Sequence, residues 1–242
     1  MSDVWGLVHR EREALVADLE TVETPRWDEP SLCPGWSVHD VVAHLVDNAR
    51  TTTPRLLLAM VRAGFDFDRQ NARGVARERG TSPGETLERL RAVMGRTSSP
   101  PAPRSSRLVE EVVHGEDVRS PLGIRHVYAQ EAVVLALRYQ LRTPVGLGGG
   151  KDRVEGLSLR VTDAGVVVGD GPVVEGRALP LLMTVSGRRA APTTCAVPVS
   201  TGCCRVGEAA GGGREQRGRG TGRPERGSGE HQRRPAALDH VV

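Results

Sequence analysis

Apolar residues recur at helical spacing through most of the first 141 residues. Trp5, Val8, Leu15, Leu19 and Val22 are separated by charged residues and predict an amphipathic helix over 2–22. Further helices are predicted over 54–61 after Pro54, over 82–93, over 107–114 with an end near Gly115, and over 126–141. This pattern predicts a mainly α fold over residues 1–142.

The most strongly specified helix begins at Ser37, in the segment PGWSVHDVVAHL. Ser37 is a natural N-cap, and Asp40 occupies the position at which a capping box places an acidic residue. Trp36 and Val41 occupy the two hydrophobic-staple positions around that cap. His39 is expected to be exposed near this start.

The pattern changes after residue 142. Residues 143–153 contain three consecutive glycines and predict a flexible linker. Residues 156–162 alternate like a strand, 166–168 predict the second strand of a hairpin, and 174–188 predict a helix. We therefore expect a small, incomplete α/β domain over 154–190. Residues 191–242 are rich in Gly, Arg and Pro, and the segment 207–234 has almost no apolar residue, which predicts disorder.

The amino-acid composition restricts the classes of molecule that the protein is expected to bind. The residues after Ala190 include eight Arg and five acidic residues, and this difference accounts for the whole formal net charge of +3. This tail has no aromatic residues for base stacking, so the sequence does not favour a nucleic-acid partner. No signal peptide or long apolar run appears, which predicts a soluble cytoplasmic protein without a membrane partner. Cys33, the only cysteine before residue 195, is expected to be half-buried in a loop.

Three side chains of metal-ligand type lie on the predicted helices. His44 lies on the flank of the apolar stripe of its helix, and Glu110 and His114 are one turn apart on a later helix. Glu111 is an alternative carboxylate, and Asp117 is an expected hydrogen-bond acceptor for the His114 imidazole. A solvated Glu/His pair and a boundary histidine explain the same spacing without a metal.

Three segments add a resemblance to a known family. The segments LCPGWSVHDVVAHL, EEVVHGEDVRSPLG and VGDGPVVEGRALPLLMTVSGR resemble blocks of the mycothiol-dependent maleylpyruvate isomerase family, within the DinB/YfiT-like metal-binding superfamily. The VHG-x-D-x-R-x-PLG block resembles an actinobacterial branch of this family. The resemblance implies that residues 1–142 form an antiparallel four-helix bundle. It also implies that His44, Glu110 and His114 bind a divalent metal ion, expected to be Zn²⁺, with one coordination position left open.

The resemblance also implies a chemistry. Mycothiol, a low-molecular-weight thiol, would be the cosubstrate, and a small-molecule electrophile would be the substrate of an isomerase or an S-transferase. The alternative is a metal-binding helical bundle without turnover, serving a binding or regulatory role. A homodimer is left open.

Two departures from the family pattern affect these expectations. The branch shows two arginines before PLG, whereas this chain has Arg119 followed by Ser120, so a substrate-binding role for Arg119 is a weak expectation. After Arg189 the family continues with Leu-rich sequence, but this chain does not. We interpret residues after 190 as the product of a shifted reading frame in preference to a genuine disordered tail.

Overall fold

The computed structural model describes residues 3–188, and the predictions made for residues 191–242 lie outside this range. Within it, eight α-helices and three β-strands confirm the mainly α fold with a small sheet. The helices are α1 (Val4–Leu19), α2 (Val38–Arg50), α3 (Thr53–Ala63), α4 (Phe67–Glu78), α5 (Pro83–Arg91), α6 (Ser105–Arg119), α7 (Gln130–Gln140) and α8 (Ala178–Val185). The strands are β1 (Ser158–Val161), β2 (Val166–Val168) and β3 (Val173–Gly176).

Helix α2 lies against three other helices, α4, α5 and α6, and α6 also packs against α1 and α7. These contacts bring His44 of α2 opposite Glu110 and His114 of α6. The four-helix arrangement expected from the sequence stays a prediction, since seven α-helices precede the sheet among the described residues. None of these helices combines the length and the apolar character needed to cross a membrane.

The apolar core of the described residues has two parts. One part, at the junction of α1, α2 and α5, contains Leu19, Trp27, Val42, Leu45 and Leu90. The other joins the helical region to the sheet and α8; its members include Leu108, Val112, Val133, Leu137, Leu159, Leu181 and Leu182. The segment after residue 142 therefore shares a core with α6 and α7.

The predicted linker is hydrogen-bonded to its surroundings. The Gly150 amide donates to the carbonyl of Gln140, and the Arg153 guanidinium donates to the carbonyls of Gly149 and Val185. A Cβ atom at Gly150 would lie 2.2 Å from the side chain of Val185. These glycines permit close packing against α8, so the segment is not the free spacer that its composition indicates.

The sheet has the strand order β2-β1-β3. The predicted hairpin is confirmed, because β1 and β2 pair antiparallel with Arg160 opposite Val167. The helix predicted over 174–188 is wrong in its first part: Val173–Gly176 forms β3, parallel to β1. Helix α8 begins only at Ala178, whose amide donates to Asp163.

Three other helix predictions differ from the structure. Helix α6 continues past Gly115 to Arg119, because Gly115 serves close packing rather than a helix end; a Cβ atom there would lie 2.8 Å from the Tyr128 hydroxyl. Helix α7 begins at Gln130 rather than at residue 126. Helix α4 was not predicted, because Val75 is the only apolar side chain that it buries.

Candidate metal centre

The start of α2 fixes the position of His44. The Ser37 hydroxyl accepts a hydrogen bond from the Asp40 amide, and the Asp40 carboxylate accepts one from the Ser37 amide at 3.0 Å, which confirms the predicted capping box. The Trp36 ring lies 5.0 Å from the His44 ring, measured between centroids. His44 is buried at the side of α2 that faces α6.

Helix α6 supplies the other two side chains of the cluster. The Nε2 atom of His44 and the Nε2 atom of His114 each lie 3.4 Å from the same oxygen, Oε2 of Glu110. One ligand atom from each residue falls within 4.8 Å of the other two. All three residues are buried, with exposed fractions of 5%, 5% and 1% for His44, Glu110 and His114. The solvated Glu/His pair that the sequence allowed is therefore not what the structure shows.

The donor set fits a divalent metal ion. Among the described residues, Nδ1 and Nε2 of His44 and Oε2 of Glu110 are buried without a hydrogen-bond partner. Leaving a buried polar group unsatisfied costs about 1–3 kcal/mol, and such groups are rare in folded proteins. Two imidazoles and one carboxylate on facing helices form a three-ligand set that leaves a coordination position open. A metal ion at their centre would satisfy the unpaired atoms.

Asp117 and Arg188 extend this cluster away from its centre. Asp117 is fully buried, and its Oδ2 lies 2.9 Å from Nδ1 of His114. Arg188 donates to both oxygens of Asp117, from Nε at 3.1 Å and from Nη2 at 2.7 Å. The carboxylate can thus keep the Nδ1 proton on His114 and leave Nε2 as the metal-binding atom. The expected position of Asp117 is observed, whereas Arg188 was not anticipated from the sequence.

The environment tunes the protonation of the three candidate ligands. Burial lowers the pKa of His44 below its usual value, which favours the neutral imidazole that binds metals. Burial raises the pKa of Glu110, but the adjacent His44 imidazole and the Arg107 charge outweigh it and lower this pKa to about 2. Burial also opposes protonation of His114, yet the contact with Asp117 raises its pKa overall.

A cavity of about 130 Å³ adjoins His44 and Glu110. Its polar wall includes Arg107, whose Nη2 lies 3.7 Å from Glu110 Oε1 and whose Nη1 donates to Asn48. Further polar side chains, apolar side chains and glycines also line the cavity: Asp47, Thr51, Gln70 and Asn71, then Leu56, Phe67 and Leu147, with Gly146 and Gly148. The sequence analysis did not single out Asn48 or Arg107, but helical spacing could have found them, since Asn48 is four positions after His44 and Arg107 is three before Glu110. The contribution of residues 146–148 had no comparable signal.

Two other candidate site residues from the sequence, Glu111 and Arg119, lie outside the cluster of His44, Glu110 and His114. Glu111 points away from the triad and forms a buried ion pair with Arg12 at 2.8 Å. Arg119 is fully buried and donates to Asp18 and Tyr128, so the structure does not bring it to the triad cavity.

Two smaller expectations receive different outcomes. The prediction that His39 is exposed is wrong: its Nε2 lies 2.6 Å from the Thr86 hydroxyl, and its ring meets Trp27 edge-on. Cys33 is more deeply buried than expected, and burial raises the pKa of its thiol to about 12. A thiol in that environment is a poor nucleophile.

Known proteins resemble the chain in sequence and in fold. Residues 8–103 match the family model described as "Mycothiol maleylpyruvate isomerase N-terminal domain". His44 lies inside this match, whereas Glu110 and His114 follow it. No curated protein matches the chain.

Two solved structures share the fold. The crystal structure of the mycothiol-dependent maleylpyruvate isomerase has a TM-score of 0.56 and 16% identity, over 78% of this chain and 89% of that chain. A histidine-to-alanine mutant of the mycothiol-dependent maleylpyruvate isomerase has a TM-score of 0.54, with the same identity and coverage. At this identity the two structures establish a shared fold.

Proposed function

We propose that this chain, whose residues 8–103 match the mycothiol maleylpyruvate isomerase N-terminal domain, is a member of that family and a metal-dependent enzyme that uses mycothiol as its thiol cosubstrate. His44, Glu110 and His114 would hold the metal, which we propose to be Zn²⁺. The second substrate would be an electrophilic small molecule. The reaction would be an isomerisation or a transfer of the thiol.

One observation carries this proposal. A carboxylate oxygen lies 3.4 Å from two imidazole nitrogens inside the protein, and this oxygen and both nitrogens of His44 lack hydrogen-bond partners among the described residues. A purely structural cluster would use these atoms in hydrogen bonds. The adjoining cavity gives a small molecule access to the cluster, which favours a reactive centre over a closed structural metal site.

The side chains around the cluster have separate tasks in this proposal. Asp117 holds His114 in one tautomer, and Arg107 and Asn48 offer hydrogen-bond donors to a polar group of the substrate. Leu56, Phe67 and Leu147 provide an apolar wall that reduces the access of water. When bound, a divalent ion supplies Lewis acidity that lowers the pKa of a thiol.

The two reaction types differ in the fate of the thiol. In an isomerase the thiol adds to a conjugated double bond and turns it into a single bond, this bond rotates, and the double bond re-forms as the thiol leaves. In a transferase the thiol stays attached to the product. Either reaction needs a pool of reduced low-molecular-weight thiol, so we place it in the cytoplasm, where thiols stay reduced.

The test is thiol-dependent turnover with a panel of conjugated electrophiles. We expect product formation that requires both mycothiol and metal and that a chelator abolishes; thiol loss then identifies a transferase, and product without thiol loss identifies an isomerase. Glu110→Gln should be inactive, whereas Glu175→Gln, a change at an exposed carboxylate on β3, should retain activity. Stoichiometric metal without thiol chemistry would instead favour a non-catalytic metal-binding protein.

A further inference from the structure

A second, larger cavity lies on the other side of α6. Its volume is about 540 Å³, within the range typical of small-molecule sites. Glu116 lines it, and this residue is about 200° around the helix from His114 because successive residues turn by about 100°. None of the triad residues borders this cavity. The proposed metal chemistry therefore leaves it without a role.

The cavity has an apolar body. Leu32 comes from the loop before α2, Val133 comes from α7, and Leu179 and Met183 come from α8. These side chains would contact the hydrocarbon part of a ligand and remove it from water. At about 25 cal/mol per Å² of apolar surface, such burial is enough to bind a small molecule.

Most charged groups around this cavity are already paired. Asp163 accepts from the Ala178 amide at 2.9 Å and lies 3.3 Å from Arg177, so it caps α8 and neutralises an exposed cation. His126 Nε2 lies 2.8 Å from Glu11 Oε2. These pairs leave little net charge at the rim.

Glu116 is the exception. It forms no ion pair with any residue between 3 and 188; its neighbour is the Tyr128 hydroxyl, which receives a hydrogen bond from Arg119 at 2.9 Å. Arg119 in turn is paired with Asp18 at 2.6 Å. Burial raises the pKa of the Glu116 carboxyl, and the Tyr128 hydroxyl and the more distant charges of Arg119 and His126 do not offset it.

The local charge balance is consequently negative. The charged residues that line the cavity and their ion-pair partners include four carboxylates and at most three cations: Glu11, Asp18, Glu116 and Asp163 against Arg119, His126 and Arg177. Ser120, the C-cap of α6, also lines the cavity, and the C-terminal end of a helix carries partial negative charge. Both features favour a cationic ligand.

We propose that this cavity binds an organic ammonium ion with an apolar body, the ammonium group on Glu116 and the hydrocarbon against Leu179 and Met183. This site is independent of the metal centre. It adds a second small-molecule specificity to the protein, at the junction of α6, α7 and α8.

Calorimetric titration with three molecules of similar shape tests the proposal. The probes are 2-phenylethylammonium, neutral 2-phenylethanol and anionic 3-phenylpropionate. Because a hydrogen-bonded ion pair with a half-buried carboxylate is the only interaction unique to the amine, we expect it to bind at least about tenfold more tightly than the other two. Equal affinities, or no binding of the amine, would overturn the proposal.

Four variants assign the binding to this cavity. Glu116→Gln should remove the preference for the amine, whereas Asp170→Asn, which changes an exposed carboxylate outside the cavity, should keep it. Leu179→Trp should fill the cavity and weaken binding of all three probes, with thermal unfolding as a check that it folds. His44→Ala should bind the amine as the wild type does. Loss of binding in that variant would show coordination of the amine to metal and overturn the proposal.

Discussion

The contact between α6 and the last described residue, Arg188, can be tested through Asp117. This carboxylate is fully buried, receives two hydrogen bonds from Arg188 and lies against the candidate ligand His114. Asp117→Asn preserves its shape but removes its charge. The substitution leaves the Arg188 guanidinium, which is 9% exposed, without an anionic partner and removes the acceptor that orients the imidazole.

Both consequences have expected magnitudes. Removing one partner of a buried ion pair costs about 3–5 kcal/mol of unfolding free energy, because the other charge stays buried and uncompensated. Loss of a carboxylate that orients a metal-binding histidine lowers metal affinity about 10- to 100-fold. Arg188→Gln should also destabilise the fold, but it should reduce metal affinity less, since the contact of Asp117 with His114 remains.

The assay combines denaturant unfolding of metal-free protein with metal titration against a competing chelator. The double variant should be less destabilised than the sum of the two single variants, because no buried charge is left unpaired. Arg177→Gln, at the exposed start of α8, is the matched control and should change neither quantity. Additive effects of the two substitutions, or unchanged metal affinity in Asp117→Asn, would refute the reasoning.

Four further outcomes follow from the structure. Truncation after Leu141 should destabilise the helical region by about 1.5–3 kcal/mol for each large apolar side chain that it exposes, measured by thermal unfolding. A truncated protein as stable as the full chain would contradict the shared core. Ser37→Ala should lower the unfolding free energy by about 1 kcal/mol through loss of the α2 cap, and no change would contradict the role of the capping box. Burial raises the pKa of Asp40 in the folded state, but its hydrogen bonds with Ser37 and Arg79 outweigh burial and lower this pKa overall. The ionised Asp40 therefore stabilises the fold fully above its unfolded pKa of about 3.9, and this contribution is lost as the pH falls. The difference in unfolding free energy between wild type and Asp40→Asn should shrink in acid. Glu110→Gln should lose metal in elemental analysis while Glu111→Gln keeps it, and the reverse would contradict the observed register of α6.

Sequence reasoning succeeded where local interactions determine the structure. The cap of α2 depends on residues within one turn, Ser37 and Asp40, and the β1–β2 hairpin depends on adjacent segments. The i, i+4 spacing of Glu110 and His114 held because α6 is a regular helix there. His44 was a candidate from its position on α2, but no local pattern pairs it with α6; the resemblance to the family supplied that pairing.

Sequence reasoning failed where tertiary contacts decide. The strand β3 forms because β1 offers a free edge, although the local sequence also fits a helix. Gly115 was interpreted as a helix end, but it permits the close approach of Tyr128. Burial of His39 depends on Thr86 of another helix, and Arg188 reaches Asp117 across 71 residues. No periodicity carries such information.

The metal content of the purified full-length chain tests the central claim most directly. Elemental analysis after dialysis should find close to one equivalent of a divalent metal, expected to be zinc, in the wild type. His44→Ala and His114→Ala should lose it, because two remaining ligands do not form a tight site. His9→Ala is the control and should retain it, since His9 lies near Trp5 and the Arg96 carbonyl and is absent from the cluster. Equal metal content in all four proteins, or none in the wild type, would contradict the account.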